Sequence, residues 1–330
     1  MNEIGKLEQR LHNFRNSGDF PIACVGAVYL TILIDVIELN NDGKHTLDFN
    51  EEIPVEIESH PGGSAYFVAY YLHQLRLAPK IITVIGNDEN GDTFWDISKR
   101  QTSSDALGGI IRKDNGKTAV TVHLISPRGE TAMYTDRDVL RSLTWKEVTK
   151  QLKRNQSNMS LVYLAGIFKT NLHRSLAKSI NKIKNQGGII CLDHGRLHQG
   201  QHTNTRSRAL HEALPLVDFY FTTRKELSQY LSLVAKKDGL AEQLQNTNIP
   251  LDKIVPIIVK EAEEIFPPVT IIHDKNKKKS KRIVVLRLPD GGFEYTVITA
   301  QAVTKQRQSY VGFGNIFQAV FINNLINSST

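Results

Sequence analysis

The chain of 330 residues has little cysteine and no long apolar segment. Its two cysteines, Cys24 and Cys191, each lie in an apolar run typical of a strand, where a free thiol packs as a small hydrophobic group. This placement argues against disulfides and cysteine-bound metal. No run of about 18 apolar residues occurs, so we expect no membrane partner. The polar start, residues 1–8, is unlike a signal peptide, which predicts a soluble, cytoplasmic protein.

Metal-ligand spacing is also absent, because the 11 histidines are scattered without a motif such as HExxH. The sequence therefore predicts no protein-built metal site. The formal net charge is +7, but six cations lie between Lys275 and Arg282, which leaves +1 elsewhere. That run separates two strand-like segments, so we expect a solvated loop tip and no nucleic-acid partner. Polyanion binding through Lys277, Lys278 and Lys279 is the alternative.

Apolar runs alternate with amphipathic segments along the chain, which is typical of a mostly parallel sheet with helices on both faces. The clearest strand candidates are residues 22–28, 81–85, 161–164, 188–192, 218–221 and 283–286. Helices are predicted between them, for example over residues 65–77 and 176–186. The pattern predicts an α/β fold.

Residues 34–57 and 119–134 do not fit this βαβ rhythm. From Val120 to Leu124 apolar and polar residues alternate, and a turn is expected at residues 126–130. This pattern predicts an antiparallel hairpin with one apolar and one polar face. Strands of this kind are suited to forming a lid over a ligand site.

Two glycines, Gly312 and Gly314, flank Phe313 directly before an apolar segment, residues 316–321, that is predicted to be helical. Backbone N–H groups at such a turn converge on an anion, and the positive end of the helix dipole lies behind them. The sequence therefore predicts a phosphate-binding site at residues 312–314.

Four further features have a functional and a structural interpretation. Gly62 and Gly63 either bring the backbone close to a ligand or form a simple turn before a helix. Residues 86–92 are expected to cap the next helix. Asp193 directly follows a predicted strand, at the edge where ligands of open α/β sheets bind. Glu226 either stabilises its own helix or takes part in a magnesium or phosphate site.

Several of these segments resemble the signatures of the PfkB (ribokinase-like) carbohydrate kinases. Residues 84–92 resemble the first family signature, and residues 312–315 resemble the Gly-Ala-Gly-Asp of the second. Residues 118–131 resemble the family's Thr-Gly-Val and Gly-Glu-Arg-Thr strands. The resemblance extends in the expected order from Cys24 to Asn315.

The resemblance implies a single ribokinase-like domain over residues 1–330, a doubly wound α/β sheet with a small β-sheet lid. The lid strands are expected near residues 34–60 and 118–135. It also implies that ATP, with Mg²⁺, donates its γ-phosphoryl group to a hydroxyl of a sugar or nucleoside. Because relatives pair through their lids, a homodimer through the lid is a further expectation.

Set against the family pattern, the chain departs at positions expected to bind the sugar. Thr31 stands where the family has a carboxylate for sugar hydroxyls, although Asp35 follows four residues later. Phe67 replaces the sugar-binding Asn of the family's Gly-Gly motif, after Gly62 and Gly63. These positions, together with Asp193, are the expected substrate-binding residues.

The expected catalytic positions depart as well. Asn315 replaces the family's catalytic Asp, and Phe313 puts a large ring in the anion hole. Thr223 replaces the Asn of a nucleotide and magnesium motif whose Glu226 is retained. The chain ends at Thr330, so the family's C-terminal helices beside the adenine are expected to be missing.

Loss of a general base slows catalysis by about 10²- to 10⁴-fold. Together with the altered sugar-binding positions, this loss predicts a catalytically impaired PfkB homologue with a binding, regulatory or scaffolding role and no required cofactor. The alternative is an active but atypical sugar or nucleoside kinase, dependent on ATP and Mg²⁺. In that case Asp35 or Asp193 supplies the missing carboxylate.

Overall fold

The computed structural model describes residues 3–16, 21–35, 55–125, 131–154, 161–195, 197, 203–263, 266–275, 279–288, 290–301 and 313–327. Within these ranges the strands are β1 (Ile22–Gly26), β2 (Tyr29–Asp35), β3 (Ile57–Gly62), β4 (Pro79–Gly86), β5 (Ile110–Lys113), β6 (Val120–Ile125), β7 (Thr131–Asp136), β8 (Leu161–Ala165), β9 (Ile189–Asp193), β10 (Phe219–Thr223), β11 (Val269–Lys275), β12 (Lys279–Arg287) and β13 (Phe293–Gln301).

The α-helices of the same ranges are α1 (Glu3–Asn16), α2 (Ser64–Gln74), α3 (Glu89–Gln101), α4 (Ser104–Leu107), α5 (Trp145–Lys153), α6 (Leu176–Lys184), α7 (Thr203–Ala213), α8 (Arg224–Leu233), α9 (Asp238–Gln245), α10 (Leu251–Glu261) and α11 (Phe313–Asn327). None of these helices is long and apolar enough to cross a bilayer.

Nine of the described strands form one sheet in the order β13-β12-β11-β10-β9-β8-β1-β4-β5. Neighbours from β11 to β5 are parallel, while β12 and β13 extend one edge in antiparallel fashion. The sheet is thus mostly parallel, with helices packed on it, and the predicted fold class is confirmed.

The central strands form because their sequences are apolar throughout. Every residue of β1 and β8 is buried, as expected for parallel strands covered on both faces. The predicted strand over residues 22–28 ends earlier, at Gly26. This glycine has φ 145°, and a Cβ there would lie 1.7 Å from the Ala165 carbonyl oxygen. Only glycine permits the chain to leave the sheet at this point.

Two apolar cores lie on opposite faces of the large sheet. Ala23 and Val25 of β1 point into one core, and Ile22 and Cys24 into the other, because successive side chains of a strand alternate. The second core includes side chains of α2 and α11, whereas α5 to α10 contribute to the first. The two cysteines are free and buried, as predicted.

The lysine-rich run joins two antiparallel strands. β11 pairs with β12, with Lys275 opposite Ser280, so the run separates two strands as predicted. Residues 276–278, which include Lys277 and Lys278, lie outside the described residues, and Lys279 begins β12. Polyanion binding by this run remains a prediction.

The remaining strands form a second sheet in the order β3-β2-β6-β7, which we call the lid sheet. Burial alternates along β6, as the two-faced pattern predicts. The buried face, however, carries Thr121 and His123 together with Ile125, while the apolar Val120, Val122 and Leu124 are half-buried. The sheet begins at Tyr29, before the predicted residue 34, while residues 36–54 and the expected turn at 126–130 lie outside the described residues. Its Ile57, Met133 and Tyr134 side chains are exposed. Pairing of two chains through this sheet stays a prediction.

Candidate active site

Polar residues meet where the parallel strands end. Asp193 is the last residue of β9 and Thr223 the last of β10, and the two strands are neighbours. Gly166, just past β8, donates its backbone N–H to the Asp193 carbonyl at 3.3 Å. Ligands of open α/β sheets bind at this carboxyl edge. These residues therefore define the candidate active site.

The carboxylate of Asp193 is held by three hydrogen bonds. Its Oδ2 accepts from the Tyr163 hydroxyl at 3.2 Å and from Gln318 Nε2 at 3.1 Å. Its Oδ1 accepts from the backbone N–H of Gly195 at 3.1 Å. Gly195 has φ 68°, a conformation in which glycine lets the backbone turn back toward the carboxylate. The orientation of this carboxylate is set by three different parts of the chain.

Burial raises the pKa of Asp193, and the nearby Glu226 carboxylate raises it further, to about 7. The hydrogen bonds from Gly195, Tyr163 and Gln318 lower it in part. At neutral pH the group is therefore divided between acid and carboxylate. A general base is most effective when its pKa lies near the working pH, so Asp193 has the acidity that proton transfer requires.

Helix α11 brings Asn315 toward the same place. The helix begins at Phe313, carries the buried Asn315 in its first turn, and places Gln318 about one turn later. Because Gln318 donates to Asp193, the carboxylate lies beside the N-terminal part of this helix. The helix N-terminus presents unpaired N–H groups and positive charge. Gly312 lies outside the described residues, and the phosphate cradle of Gly312, Phe313 and Gly314 remains a prediction.

Thr223 and Glu226 form a capping box at the start of α8. The Thr223 backbone N–H donates to Glu226 Oε2 at 2.9 Å, and the Glu226 N–H donates to Thr223 Oγ1 at 3.2 Å. Glu226 therefore stabilises the start of its own helix, which is one of the two roles predicted for it. Its role toward magnesium or nucleotide stays a prediction.

Asp193 and Glu226 are the acidic residues of the candidate active site that could contact a magnesium ion. In the described parts of the chain, no three His, Cys, Asp or Glu side chains are grouped to hold a metal. Asp193 and Glu226 are close enough for one to raise the pKa of the other. Mg²⁺ usually keeps several waters and takes one or two carboxylates plus substrate phosphates. This pair fits an ion delivered with a nucleotide and not a cage of protein ligands.

Thr31 does not face an open site. Its side chain is buried, and a Cβ at Gly62 would lie 2.1 Å from its Oγ1. Gly63 has φ 98°, and a Cβ there would lie 2.4 Å from the Ala27 carbonyl oxygen. Gly62 thus lets β3 lie close to Thr31 of β2 within the lid sheet, and Gly63 lets the chain before α2 lie close to the segment after β1. Roles of Thr31, Gly62 and Gly63 in binding substrate stay predictions.

Phe67 makes this part of the site aromatic. Its half-buried ring lies 6.3 Å from the His60 ring and 5.9 Å from that of Tyr66. An amide at this position would present a donor and an acceptor to a sugar, whereas the Phe67 ring presents neither. Contact of Phe67 with a substrate remains a prediction.

Asp35 is the last residue of β2 and lies opposite Ile125 of β6. Four residues of extended strand separate it from Thr31, a distance of about 13 Å. Asp35 therefore does not replace a carboxylate at the Thr31 position, and its binding role stays a prediction.

The sequence interpretation missed a group of cations beside Tyr29. Lys169 Nζ lies 5.0 Å from the Tyr29 ring centre, and Arg137 is close enough to lower the pKa of the Tyr29 hydroxyl, which burial raises. Burial lowers the pKa of Arg206, and so do the charges of Arg137 and Arg141. We call Arg137, Arg141, Lys169 and Arg206 the cationic group.

Two buried atoms of this region have no hydrogen-bond partner among the described residues, the Tyr29 hydroxyl and Arg206 Nε. Lys169 follows β8 by four residues, close to Gly166 and hence to Asp193. No local motif marks the cationic group, since its members come from three separate segments, residues 137–141, Lys169 and Arg206. Only the tertiary fold brings them together.

The comparisons with known proteins agree on the fold. The profile of the pfkB family carbohydrate kinases matches residues 23–259. A curated relative, the ATP-dependent ribose-1-phosphate kinase of Halopiger xanaduensis, is 27% identical over 173 residues. That match covers 52% of this chain and 52% of the relative, so the chain spans about half the length of this curated relative.

Two solved ribokinases have a similar fold. That of Arabidopsis thaliana, complexed with ribose and ATP, has a TM-score of 0.63 and 14% identity, with 94% of this chain and 88% of that chain covered. That of Cryptococcus neoformans var. grubii, in complex with ADP, has a TM-score of 0.66 and 13% identity, with the same coverage. At these identities the likeness shows the ribokinase-like fold alone, as predicted.

Proposed function

The chain belongs to the PfkB family of carbohydrate kinases, and from this premise we propose that it is an active, atypical kinase in which Asp193 is the proton acceptor. The observation that carries this proposal is the contact between Asp193 and Gln318. It places a carboxylate with a pKa of about 7 beside the helix that begins at the second family signature. In this proposal Asp193, at the end of β9, takes the place of the carboxylate that the family has at position 315.

In the proposed reaction a hydroxyl oxygen of the acceptor attacks the γ-phosphorus of ATP. The new O–P bond forms as the bond to the β-phosphate oxygen breaks, ADP leaves, and the hydroxyl proton passes to Asp193. Mg²⁺ bound with ATP neutralises charge on the phosphates. The N-terminus of α11 faces the developing negative charge, and Asn315 contributes a neutral hydrogen-bonding group. Positioning and charge stabilisation supply most of the catalysis in such transfers.

We further propose that the acceptor is an anionic carbohydrate. The cationic group supports this, because Lys169 and Arg137 lie beside Tyr29 and the charges of Arg137 and Arg141 lower the pKa of Arg206, so charges of the same sign oppose one another here. An acceptor phosphate would satisfy these charges through charge-assisted hydrogen bonds. The curated relative is, by its name, a kinase of ribose 1-phosphate. A phosphorylated pentose is therefore the first acceptor to test.

The role of Asp193 is tested with the Asp193→Asn variant and ribose 1-phosphate as acceptor. We expect kcat to fall by about 10²- to 10⁴-fold, because the amide keeps the shape but accepts no proton. The control is Asp105→Asn, which changes an exposed carboxylate on α4 and is expected to leave kcat unchanged. An unchanged kcat in Asp193→Asn would refute Asp193 as the base.

The acceptor class is tested by comparing ribose with ribose 1-phosphate. In Arg206→Gln we expect KM for ribose 1-phosphate to rise by about 10-fold or more, which corresponds to one lost charge-assisted bond, with KM for ATP unchanged. Arg208→Gln is the matched control, since Arg208 is exposed on the same helix and pairs with Glu212 at 2.8 Å. A wild-type preference for unphosphorylated ribose would overturn the anionic acceptor.

A second candidate function is nucleotide binding without catalysis, in a regulatory or scaffolding role. It is favoured by the buried Thr31 and the aromatic Phe67 at positions where the family binds sugar. The Asn315→Asp variant separates the two candidates. If the active site is intact, the added carboxylate should raise kcat by about 10-fold or more. If neither wild type nor variant turns over either acceptor while both bind ADP, the non-catalytic function is supported.

A further inference from the structure

A groove between α5 and α6 is lined by lysines and lies outside the candidate active site. Its volume is about 690 Å³. Lys146, Lys150 and Lys153 of α5 recur at the spacing of one helix face. Lys178 and Lys182 of α6 do the same on the other wall. We call this surface the lysine groove.

The charge of the lysine groove is not balanced by its surroundings. All five lysines are exposed, and none has an ion pair or hydrogen bond with a described residue. Glu147 of α5 is used elsewhere, since it binds Lys113 at 2.8 Å and caps its own helix. The described residues that line the groove include no acidic side chain.

Helix stability explains only some of the groove lysines. Lys146 and Lys150, like Lys178 and Lys182, are like charges four residues apart, a spacing at which they destabilise a helix. Cations in the last helical turn favour the dipole, which accounts for Lys150, Lys153 and Lys182. It does not account for Lys146, in the first turn of α5, or for Lys178, near the start of α6.

The lining between the lysines suits phosphate oxygens. Thr149 and Ser179, both half-buried, add hydroxyl donors between the two lysine rows. Trp145 forms one end of the lining, and its indole N–H donates to the Leu172 carbonyl at 2.6 Å, which fixes the ring. The groove thus combines mobile point charges, hydroxyls and one fixed aromatic wall.

We propose that the lysine groove binds a small anion that carries several phosphate groups. The volume lies within the range of about 300 to 1,000 Å³ typical of small-molecule sites. The lysines of α5, from Lys146 to Lys153, extend over eight residues, or about 10 Å of helix, which matches a few linked phosphates and not a single one. A nucleic-acid strand would extend well beyond this length. The proposal requires neither the proposed kinase activity nor its acceptor.

Trp145 provides a direct measurement of binding. The chain contains two tryptophans, so the Trp95→Phe variant leaves Trp145 as the only indole. This variant is titrated with inorganic tripolyphosphate, with pyrophosphate and orthophosphate as shorter probes. We expect saturable quenching by tripolyphosphate, with affinity that decreases by about 10-fold or more for each shorter probe and falls with added salt.

Lysine variants then assign the site. Added to Trp95→Phe, the pair Lys150→Ser and Lys178→Ser should weaken tripolyphosphate binding by about 10-fold or more. Lys99→Ser with Lys260→Ser, two exposed lysines on α3 and α10, removes the same charge and should leave the affinity unchanged. Equal loss in both pairs would overturn the groove as the site.

A short single-stranded oligodeoxynucleotide tests the competing ligand class. If it quenches Trp145 while tripolyphosphate does not, the small-anion proposal is refuted in favour of nucleic acid. Charge reversal by Lys178→Glu, checked for folding by circular dichroism, provides a second variant. Tripolyphosphate quenching that survives this reversal undiminished would also refute the proposal.

Discussion

Acidic side chains near the sheet edge differ in acidity because the fold surrounds them differently. Burial would raise the pKa of Asp88, but hydrogen bonds from Thr118 and Gly91 lower it below its ordinary value. Asp193 also accepts hydrogen bonds, yet burial and Glu226 together raise its pKa. Asp88 caps α3, as the sequence predicted for residues 86–92. Of the two, Asp193 is therefore the carboxylate suited to exchanging a proton at neutral pH.

This difference predicts how stability depends on pH. The pKa of Asp193 rises from 3.8 in the unfolded chain to about 7 in the fold. Between these values the folded protein keeps a proton that the unfolded chain has released, so the free energy of unfolding falls as pH rises. We expect Asp193→Asn to remove this fall, which leaves the variant about 2 to 4 kcal/mol more stable relative to wild type at pH 8 than at pH 4.

Urea denaturation at pH 4, 6 and 8 measures this effect. The Asp105→Asn control has no buried carboxylate to lose and should follow wild type at each pH. A stability difference between Asp193→Asn and wild type that does not change with pH would contradict the raised pKa. The same titration is expected to raise kcat with pH up to about 7, as the carboxylate forms.

At the scale of elements, the start of α8 shows how one pair of side chains stabilises the end of a helix. Thr223 and Glu226 exchange hydrogen bonds as a capping box, and Thr144 and Glu147 do the same for α5. The sequence interpretation recognised Glu226 as a candidate for both structure and function. It did not recognise the cap at Thr223, which the family resemblance presented as a departure from an Asn.

Removal of the Thr223 hydroxyl should therefore lower stability. We expect Thr223→Ala to reduce the free energy of unfolding by about 1 kcal/mol, because the N–H of Glu226 loses its acceptor. Thr223→Ser keeps the hydroxyl and should remain close to wild type. Urea denaturation compares the three proteins. Equal loss in the Ser and Ala variants would show that the methyl group, and not the cap, matters.

The lid sheet shows which local patterns are informative. Alternation over Val120–Ile125 predicted a strand with two unlike faces, and burial does alternate along it. The pattern did not show that the face with Thr121 and His123 would be the buried one. The pattern did not show that Thr31 lies buried against Gly62. That packing depends on the register in which β2 pairs with β3. Such a register cannot be derived from the sequence of either strand alone.

At the scale of the whole molecule, the buried Asp218 ties distant segments together. Its carboxylate pairs with Arg10 of α1 and with Lys184 of α6 at 3.2 Å, and it accepts the Ile190 backbone N–H at 2.9 Å. The backbone of Val269 donates to its carbonyl at 3.1 Å. One residue thus connects the first helix, the middle helices and the strands of the large sheet.

Loss of this carboxylate should destabilise the entire fold. We expect Asp218→Ala to cost about 3 to 5 kcal/mol, because two largely buried cations lose their partner. Asp105→Ala, at an exposed carboxylate, is expected to cost well under 1 kcal/mol. Thermal unfolding measures both. A small change for Asp218→Ala would mean that Arg10 and Lys184 find solvent or other partners.

The sequence by itself determined the fold class, a mostly parallel sheet with helices, because apolar runs of strand length alternate with helical periodicity, and that pattern is local. It also determined the family, since segments that resemble the family signatures follow one another in the expected order, and the family profile matches residues 23–259. These features are readable because each lies within a few adjacent residues.

Only the tertiary structure decided which polar groups act together. Asp193 and Gln318 are 125 residues apart in the chain, and the cationic group and the lysine groove join separate segments. The pKa of Asp193 likewise depends on burial and on Glu226, neither of which is local. Charges interact through space, so their partners are set by packing and not by neighbouring sequence.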